Sequence, residues 1–250
     1  MSSTALIIPA RMGSTRLPRK ALADIEGKPM VVRVAERAAR VEGISEILVA
    51  TDHADIVEAV ERAGFRAVMT PEELKSGTDR VAHVARGLKH EFIVNLQGDE
   101  PVVPPEAVEA AMEPVLAGRA KMGSVCTVLR SREDFLSPSV VKVITDCDGN
   151  AVTFSRLPIP YRKPEFDDDR VLRERHVGKH LGIYVYRRDF LLEFAGWEPV
   201  FWEQWESLEQ LRALYHGVKI GMGRIERDSQ SVDTEEDLQK ARKAFFEENR

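Results

Sequence analysis

Short apolar runs closed by turn residues alternate with segments of helical period through the first 116 residues, and this alternation restricts the fold more than any other feature of the chain. Ala5 to Ala10 reads as a strand, Met30 to Val41 as a helix, Glu46 to Ala50 as a strand and Asp55 to Ala63 as a helix. The series continues with a short strand at Ala67 to Met69, a helix from Asp79 to about Leu88, a buried strand Phe92 to Leu96 and a helix from Pro105 to about Leu116. A helix between two strands returns the chain in the same sense, so the expected architecture is α/β, with a mostly parallel central sheet flanked by helices.

After about Lys121 the pattern changes. Met122 to Leu129, Val140 to Thr145, Ala151 to Phe154 and Gly182 to Tyr186 read as strands with few helices between them, which predicts an antiparallel-rich subdomain. Leu157 to Lys179, with three prolines and the acidic run Asp167 to Asp169, reads as a long loop of the kind that carries function or moves. Helical period returns at Trp205, Leu208, Leu211 and Leu214, then at Leu238 and Ala241 to Phe245, with a strand at Val218 to Met222 between them. The expectation is a single domain, 1–250, with parts over about 1–120, about 121–190 and about 191–250.

Composition removes several classes of function. With 43% hydrophobic and 31% charged residues, and no apolar run near the roughly eighteen residues of a membrane helix, the chain reads as a soluble globular protein without a membrane partner. Met1 to Pro9 lacks a basic flank and a cleavage site, so no export signal is expected. Cys126 and Cys147 have no His or Cys neighbours at metal-ligand spacing, which predicts reduced thiols and a cytoplasmic protein. A formal charge of −5 argues against general nucleic-acid binding and leaves room for a local basic pocket that takes a phosphate-rich small molecule.

Such a pocket has a candidate in Pro9-Ala10-Arg11-Met12-Gly13-Ser14-Thr15-Arg16-Leu17-Pro18-Arg19-Lys20, directly after the first strand. Four basic side chains, one glycine and two hydroxyls share this loop, and at the carboxyl edge of a parallel sheet they would offer N–H donors and cations to a triphosphate. The spacing matches neither the P-loop nor the dinucleotide fingerprint, which counts against an ATPase or a dehydrogenase. A solvated basic loop is the plainer alternative.

With Gly27-Lys28-Pro29-Met30, this loop resembles the start of the nucleotide-sugar pyrophosphorylase superfamily. Ala50-Thr51-Asp52, Ser76-Gly77-Thr78-Asp79-Arg80, Asn95-Leu96-Gln97-Gly98-Asp99-Glu100-Pro101 and Val141-Lys142-Val143 then follow in the order found in 3-deoxy-manno-octulosonate (Kdo) cytidylyltransferases. So do Phe154-Ser155-Arg156, Lys179-His180-Leu181-Gly182-Ile183-Tyr184, Leu208-Glu209-Gln210-Leu211-Arg212 and Val232-Asp233-Thr234. The resemblance runs from Leu6 to about Leu238. It implies a Rossmann-like nucleotidyltransferase fold and a two-fold homodimer formed through the antiparallel-rich subdomain. It also implies CMP transfer from CTP to the anomeric hydroxyl of Kdo, with Mg2+, for lipopolysaccharide biosynthesis.

The resemblance assigns Arg11, Gly13, Ser14, Arg16, Lys20, Thr51 and Asp52 to the nucleotide, with Ser76, Gly77, Thr78, Arg80, Gln97, Gly98 and Asp99. Arg11 and Lys20 would neutralise phosphate charge, and Asp99 and Asp233 fall on the metal positions. The residues alone allow Asp99 to hold a cation at the sheet edge, but they favour Asp233 as a helix N-cap after a strand ending at Val232. Ser76 to Arg80 allows two compatible readings, contact with the base and a helix N-cap by Thr78.

For the sugar, the resemblance points to Gln97, Arg156, His180, Tyr184, Glu209 and Gln210. Arg156 and His180 would supply donors to the acid, while Glu206, Glu209 and Gln210 would share one polar face of a helix whose apolar stripe is Trp205, Leu208, Leu211 and Leu214. A solvated face and a core histidine are the bland alternatives. Enzymes activating sialic acid or an amino-substituted Kdo, and a non-catalytic nucleotide-sugar sensor, remain as rivals. The chain departs from the family's common wording at Arg19 (usually Gly), Ala21 (often Pro) and Glu235 (often Pro).

Overall fold

All seven residues of the first strand, β1 (Thr4–Ala10), are buried, as in a strand covered on both faces. This computed structural model describes residues 3–14, 16–161, 163 and 168–248. After β1 come β2 (Asp24–Ile25), β3 (Lys28–Pro29), α1 (Met30–Ala38), β4 (Glu46–Thr51), α2 (Ala54–Arg62), β5 (Arg66–Met69), α3 (Gly77–Ala85), β6 (Phe92–Leu96) and α4 (Pro105–Leu116). The chain continues through β7 (Met122–Thr127), α5 (Arg132–Leu136), β8 (Lys142–Thr145), β9 (Ala151–Ser155), β10 (Val177–Arg187), α6 (Arg188–Phe194), α7 (Phe201–Glu206), α8 (Leu211–Tyr215), β11 (Ile220–Ile225) and α9 (Glu235–Glu248). It divides into two compact units, Met1–Glu109 with Ser229–Arg250, and Ala110–Asp228. The segment 191–228 therefore belongs with the second unit, and only the last stretch returns to the first.

In the first unit β1 lies between β4 and β6, with β5 beyond β4, all parallel. The chain steps outward from β1 to β4 and β5, then crosses back to β6 on the other side of β1. That reversal opens a crevice at the strands' carboxyl ends, where doubly wound sheets bind ligands. Val31, Val34, Ala35 and Ala38 of α1 and Val81, Ala82 and Ala85 of α3 are buried. A second cluster joins distant parts of the chain: Leu17, Ile25 and Met30 pack with Val232, Leu238, Ala241 and Phe245. Each large side chain buried there contributes about 1.5–3 kcal/mol, enough to hold the carboxyl-terminal segment beside the loop that follows β1.

In the second unit β7 pairs in parallel with β11 and antiparallel with β10, while β10 and β9 flank β8, both antiparallel. The carboxyl-terminal half of α4 lies so close to this sheet that side chains are excluded. A Cβ added at Gly123 would come 2.3 Å from the Ala111 carbonyl, and one at Gly223 would come 2.2 Å from that of Ala110. Antiparallel pairing in this region agrees with the expected subdomain, and the α/β class with a parallel, helix-flanked sheet holds in the first unit.

Three local expectations are corrected. α3 begins at Gly77, and its N-cap is Ser76 rather than Thr78: Ser76 Oγ accepts from Asp79 N and the Asp79 carboxylate accepts from Ser76 N, a reciprocal capping box. The helix expected through Trp205 and Leu214 is two short helices, because Ser207 takes a left-handed conformation (φ 53°) and ends α7. β10 starts at Val177, so Lys179 and His180 are strand residues, and part of the expected loop is a 3-10 turn, Asp168–Arg173. Pro164 and Asp167 of that loop, like Thr15 of the basic loop, lie outside the described residues.

Candidate active site

A cavity of about 340 Å3 opens at the carboxyl ends of β1 and β6, entirely within the first unit. Arg11, Gly13, Ser14, Arg16 and Lys20 line it from the loop after β1. Ser76, Gly77 and Arg80 line it from the start of α3, Gln97, Gly98 and Asp99 from the turn after β6, and Asp233 from the segment before α9. Thr51, Asp52 and Thr78 are not in the lining. Lys75 is, and reasoning from the sequence passed over it, although its place beside Ser76-Gly77 was a usable signal.

Close packing and hydrogen bonds shape this wall. Gly98 sits against β1, where an added Cβ would lie 2.8 Å from the Pro9 carbonyl, so the turn carrying Asp99 needs a glycine there. Asp52 works from behind: its carboxylate accepts from Met12 N at 3.2 Å and from Arg80 Nη2 at 2.9 Å, tying the basic loop to α3. Arg80 is only 3% exposed and also donates to Thr70 Oγ1 and to the Pro71 carbonyl. Its guanidinium thus braces the pocket. Thr51 is buried, and its carbonyl accepts from Thr70 N.

At the floor of the cavity Lys20 Nζ donates to Asp99 Oδ2 at 2.6 Å and to Asp233 Oδ1 at 3.0 Å. Arg16 Nη2 reaches the same Asp233 oxygen at 2.9 Å. Burial opposes the charge on Lys20, but the two carboxylates outweigh it and hold the ammonium above the ordinary lysine range. Asp233 is therefore not the helix cap that the residues alone suggested, nor does a strand end at Val232. Thr234 takes the capping role, its Oγ1 accepting from Asp237 N at 3.2 Å.

The candidate sugar residues of the second unit form a separate hydrogen-bonded group. Arg156 donates from Nε to the Glu206 carbonyl (2.7 Å), from Nη1 to that of Pro138 (3.1 Å) and from Nη2 to that of Ser207 (3.4 Å). Glu206 accepts from Ser155 Oγ at 2.7 Å and from Arg156 N at 2.9 Å. Tyr184 donates to Gln210 Oε1 at 3.0 Å, and the Gln210 amide nitrogen is buried without a partner among the described residues. Glu209 does not share a helix face with Gln210; its carboxylate lies 3.5 Å from Arg212, which also grips Glu203 and so joins α8 to α7.

His180 is buried, and burial lowers its pKa to about 3, so the ring is neutral. Ser124 Oγ donates to the Ile183 carbonyl and stands 2.8 Å from His180 Nε2; it therefore accepts from that nitrogen, which carries the ring proton. His180 brings no positive charge to a substrate acid. Burial also raises the Tyr184 phenol, which stays protonated. Lys142, fully buried, donates to the Ser137, Val140 and Arg156 carbonyls, a structural role the sequence did not reveal.

Residues 5–220 match the cytidylyltransferase family. The 3-deoxy-manno-octulosonate cytidylyltransferase of Geobacter sulfurreducens is 47% identical over 248 residues, 96% of this chain and 98% of that protein. Its counterpart in Trichlorobacter lovleyi is 46% identical over 241 residues, 94% of this chain and 96% of that protein. The chain belongs to the 3-deoxy-manno-octulosonate cytidylyltransferase family. A solved structure of CMP:2-keto-3-deoxy-manno-octonic acid synthetase complexed with CTP superimposes with a TM-score of 0.90 at 38% identity, covering 99% of this chain and all of that one.

In this member of the family the first unit offers a fitting place for a magnesium ion. One cation, the Lys20 ammonium, already stands within hydrogen-bond distance of both Asp99 and Asp233. Magnesium takes one or two protein carboxylates and fills its shell with phosphate and water oxygens. Among the described residues no group of three His, Cys, Asp or Glu that could hold a metal ion occurs, and the carboxylates that line this cavity are Asp99 and Asp233. No helix of the described residues is long and apolar enough to cross a membrane.

Proposed function

We propose that this chain transfers CMP from CTP to the anomeric hydroxyl of Kdo, releasing pyrophosphate, and so supplies an activated sugar for lipopolysaccharide. The observation that carries the reading is the convergence of Arg11, Arg16, Lys20 and Lys75 with Asp99 and Asp233 on one cavity at a strand-order reversal. The cations bind and orient the triphosphate there and offset charge that develops as pyrophosphate leaves, which is the main task in phosphoryl transfer. Asp99 and Asp233 would hold a magnesium ion, which would supply Lewis-acid chemistry toward the attacking hydroxyl and the phosphates. Gly13, beside which an added Cβ would meet nothing within 4 Å, leaves backbone open to a ligand. Ser76 and Gly77 present the start of α3 to the nucleotide.

In the same reading Arg156, His180, Tyr184, Glu209 and Gln210 of the second unit serve the sugar. The unpartnered Gln210 amide supports a hydroxyl acceptor for it, and Arg156 retains N–H groups beyond the three it gives to carbonyls. The acting species is a homodimer formed through the second unit, where Phe201, Trp202, Trp205 and Tyr215 are all more than half exposed. Light scattering at micromolar concentration checks the dimer.

Pyrophosphate release with CTP and a panel of acidic sugars tests the reaction. Fast release with Kdo and slow release with sialic acid is the expected pattern. No release with Kdo, or a preference for sialic acid, would overturn it.

A further inference from the structure

We propose that Lys20 is a displaceable counter-ion: without nucleotide its ammonium holds the position between Asp99 and Asp233 that a divalent ion takes, and the metal enters as the triphosphate draws Lys20 away. The inference rests on the CMP-transfer reading for its ligands and adds the coupling between them.

The geometry carries it. Lys20 Nζ lies 2.6 Å from Asp99 Oδ2 and 3.0 Å from Asp233 Oδ1. These are the two carboxylates that a hard divalent ion would draw on in this cavity, and the ammonium already occupies the space between them. Two cations cannot share that space. The charges point the same way: Asp99 and Asp233 are balanced by Lys20 and Arg16, so the cluster is neutral as it stands. A bare divalent ion would leave excess positive charge in a half-buried site, where solvent screens it poorly. A metal arriving with a triphosphate brings its own compensating charge, and the phosphates give the displaced cations new partners.

Burial identifies Lys20 as the residue that matters. Its side chain is 18% exposed, against 66% for Arg16, so the Lys20 pairing is the less screened of the two. A flexible four-carbon stem lets the ammonium swing within the cavity that it already lines. Linkage then requires metal and nucleotide to raise each other's affinity by one common factor, and Lys20 sets much of that factor.

Manganese, as a paramagnetic stand-in for magnesium, makes this measurable by electron paramagnetic resonance. Mn2+ is titrated into wild type, Lys20→Met and Lys20→Met/Asp99→Asn, first without nucleotide and then with CTP and no sugar. Circular dichroism and thermal melting report folding, and Lys20→Gln replaces Lys20→Met if the latter unfolds. Without nucleotide, Lys20→Met should bind Mn2+ about tenfold more tightly than wild type. Its gain in affinity on adding CTP should shrink, and the added Asp99→Asn should abolish the extra binding. Equal or weaker binding in Lys20→Met, or extra binding that survives Asp99→Asn, overturns the proposal. Because no sugar is present, a wild type that fails to couple CTP to Kdo would sink the reaction without touching this readout.

Discussion

The main-chain N–H of Val232 donates to the carbonyl of Asp99 across 2.8 Å, joining the turn after β6 to the segment that leads into α9. Ser229 Oγ donates to the buried Glu100 carboxylate and ties the same two segments again. Val232 packs with Leu17, Met30, Leu238 and Phe245, so apolar burial holds two mutually repelling carboxylates side by side.

The packing of α9 should therefore be felt at the Asp99–Asp233 pair. Leu238→Ala is expected to cost about 2–5 kcal/mol of stability and to raise the magnesium concentration needed for half-maximal rate, as Asp233 loses its backing. Thermal melting and a magnesium titration of turnover check both parts. Lost stability with an unchanged magnesium requirement would separate the cluster from the site.

Asp233 and Thr234 are neighbours with different tasks, and substitution should divide them. Asp233→Asn is expected to remove magnesium-supported turnover, by about a hundredfold or more, in a protein that melts near the wild-type temperature. Thr234→Ala removes the cap of α9 and should cost about 1 kcal/mol while leaving turnover nearly intact. The reverse pattern, with a stable and active Asp233→Asn, would return Asp233 to the capping role.

The parallel strands were legible because a buried strand such as Phe92 to Leu96 is apolar at every position but Asn95, and the basic loop was legible because its charges cluster in one short segment. Sequence motifs also pointed to most of the cavity lining. What stayed hidden was long-range or conformational. Nothing local separates Asp233 from a helix cap, because the deciding contact is with Lys20 across the chain. Ser207 breaks a helical period that Leu208 and Leu211 continue on paper, since serine only sometimes adopts φ above zero. Arg19 shows the converse case. Its φ of 55° explains why glycine is usual in the family, and its contact with Asp55 at 2.7 Å occupies the side chain that glycine lacks.

Two glycines of the cavity should respond oppositely to alanine. At Gly98 the new Cβ would meet backbone at 2.8 Å, so Gly98→Ala must move β1 or the Asp99 turn and should lower both stability and turnover. At Gly13 the Cβ meets no protein atom within 4 Å, so Gly13→Ala should leave the melting temperature within a degree or so and raise the apparent KM for CTP. Melting curves and CTP kinetics on the pair decide this. An unchanged KM in Gly13→Ala would take that glycine out of the nucleotide site.

His180 should imprint itself on stability in acid. In an unfolded chain its imidazole takes a proton near pH 6.5, whereas the folded ring, buried against Phe154, resists until about pH 3. Between those values the unfolded state binds more protons, so stability falls as the pH drops through that window and is unaffected by this residue above it. At pH 5 the loss from this residue alone is about 2 kcal/mol. His180→Gln can keep a donor to Ser124 without a titrating ring, and its unfolding free energy should fall less steeply between pH 6.5 and pH 5 than that of wild type. Denaturant unfolding at several pH values checks the slope; parallel curves for the two proteins would show that folding does not exclude the proton from His180.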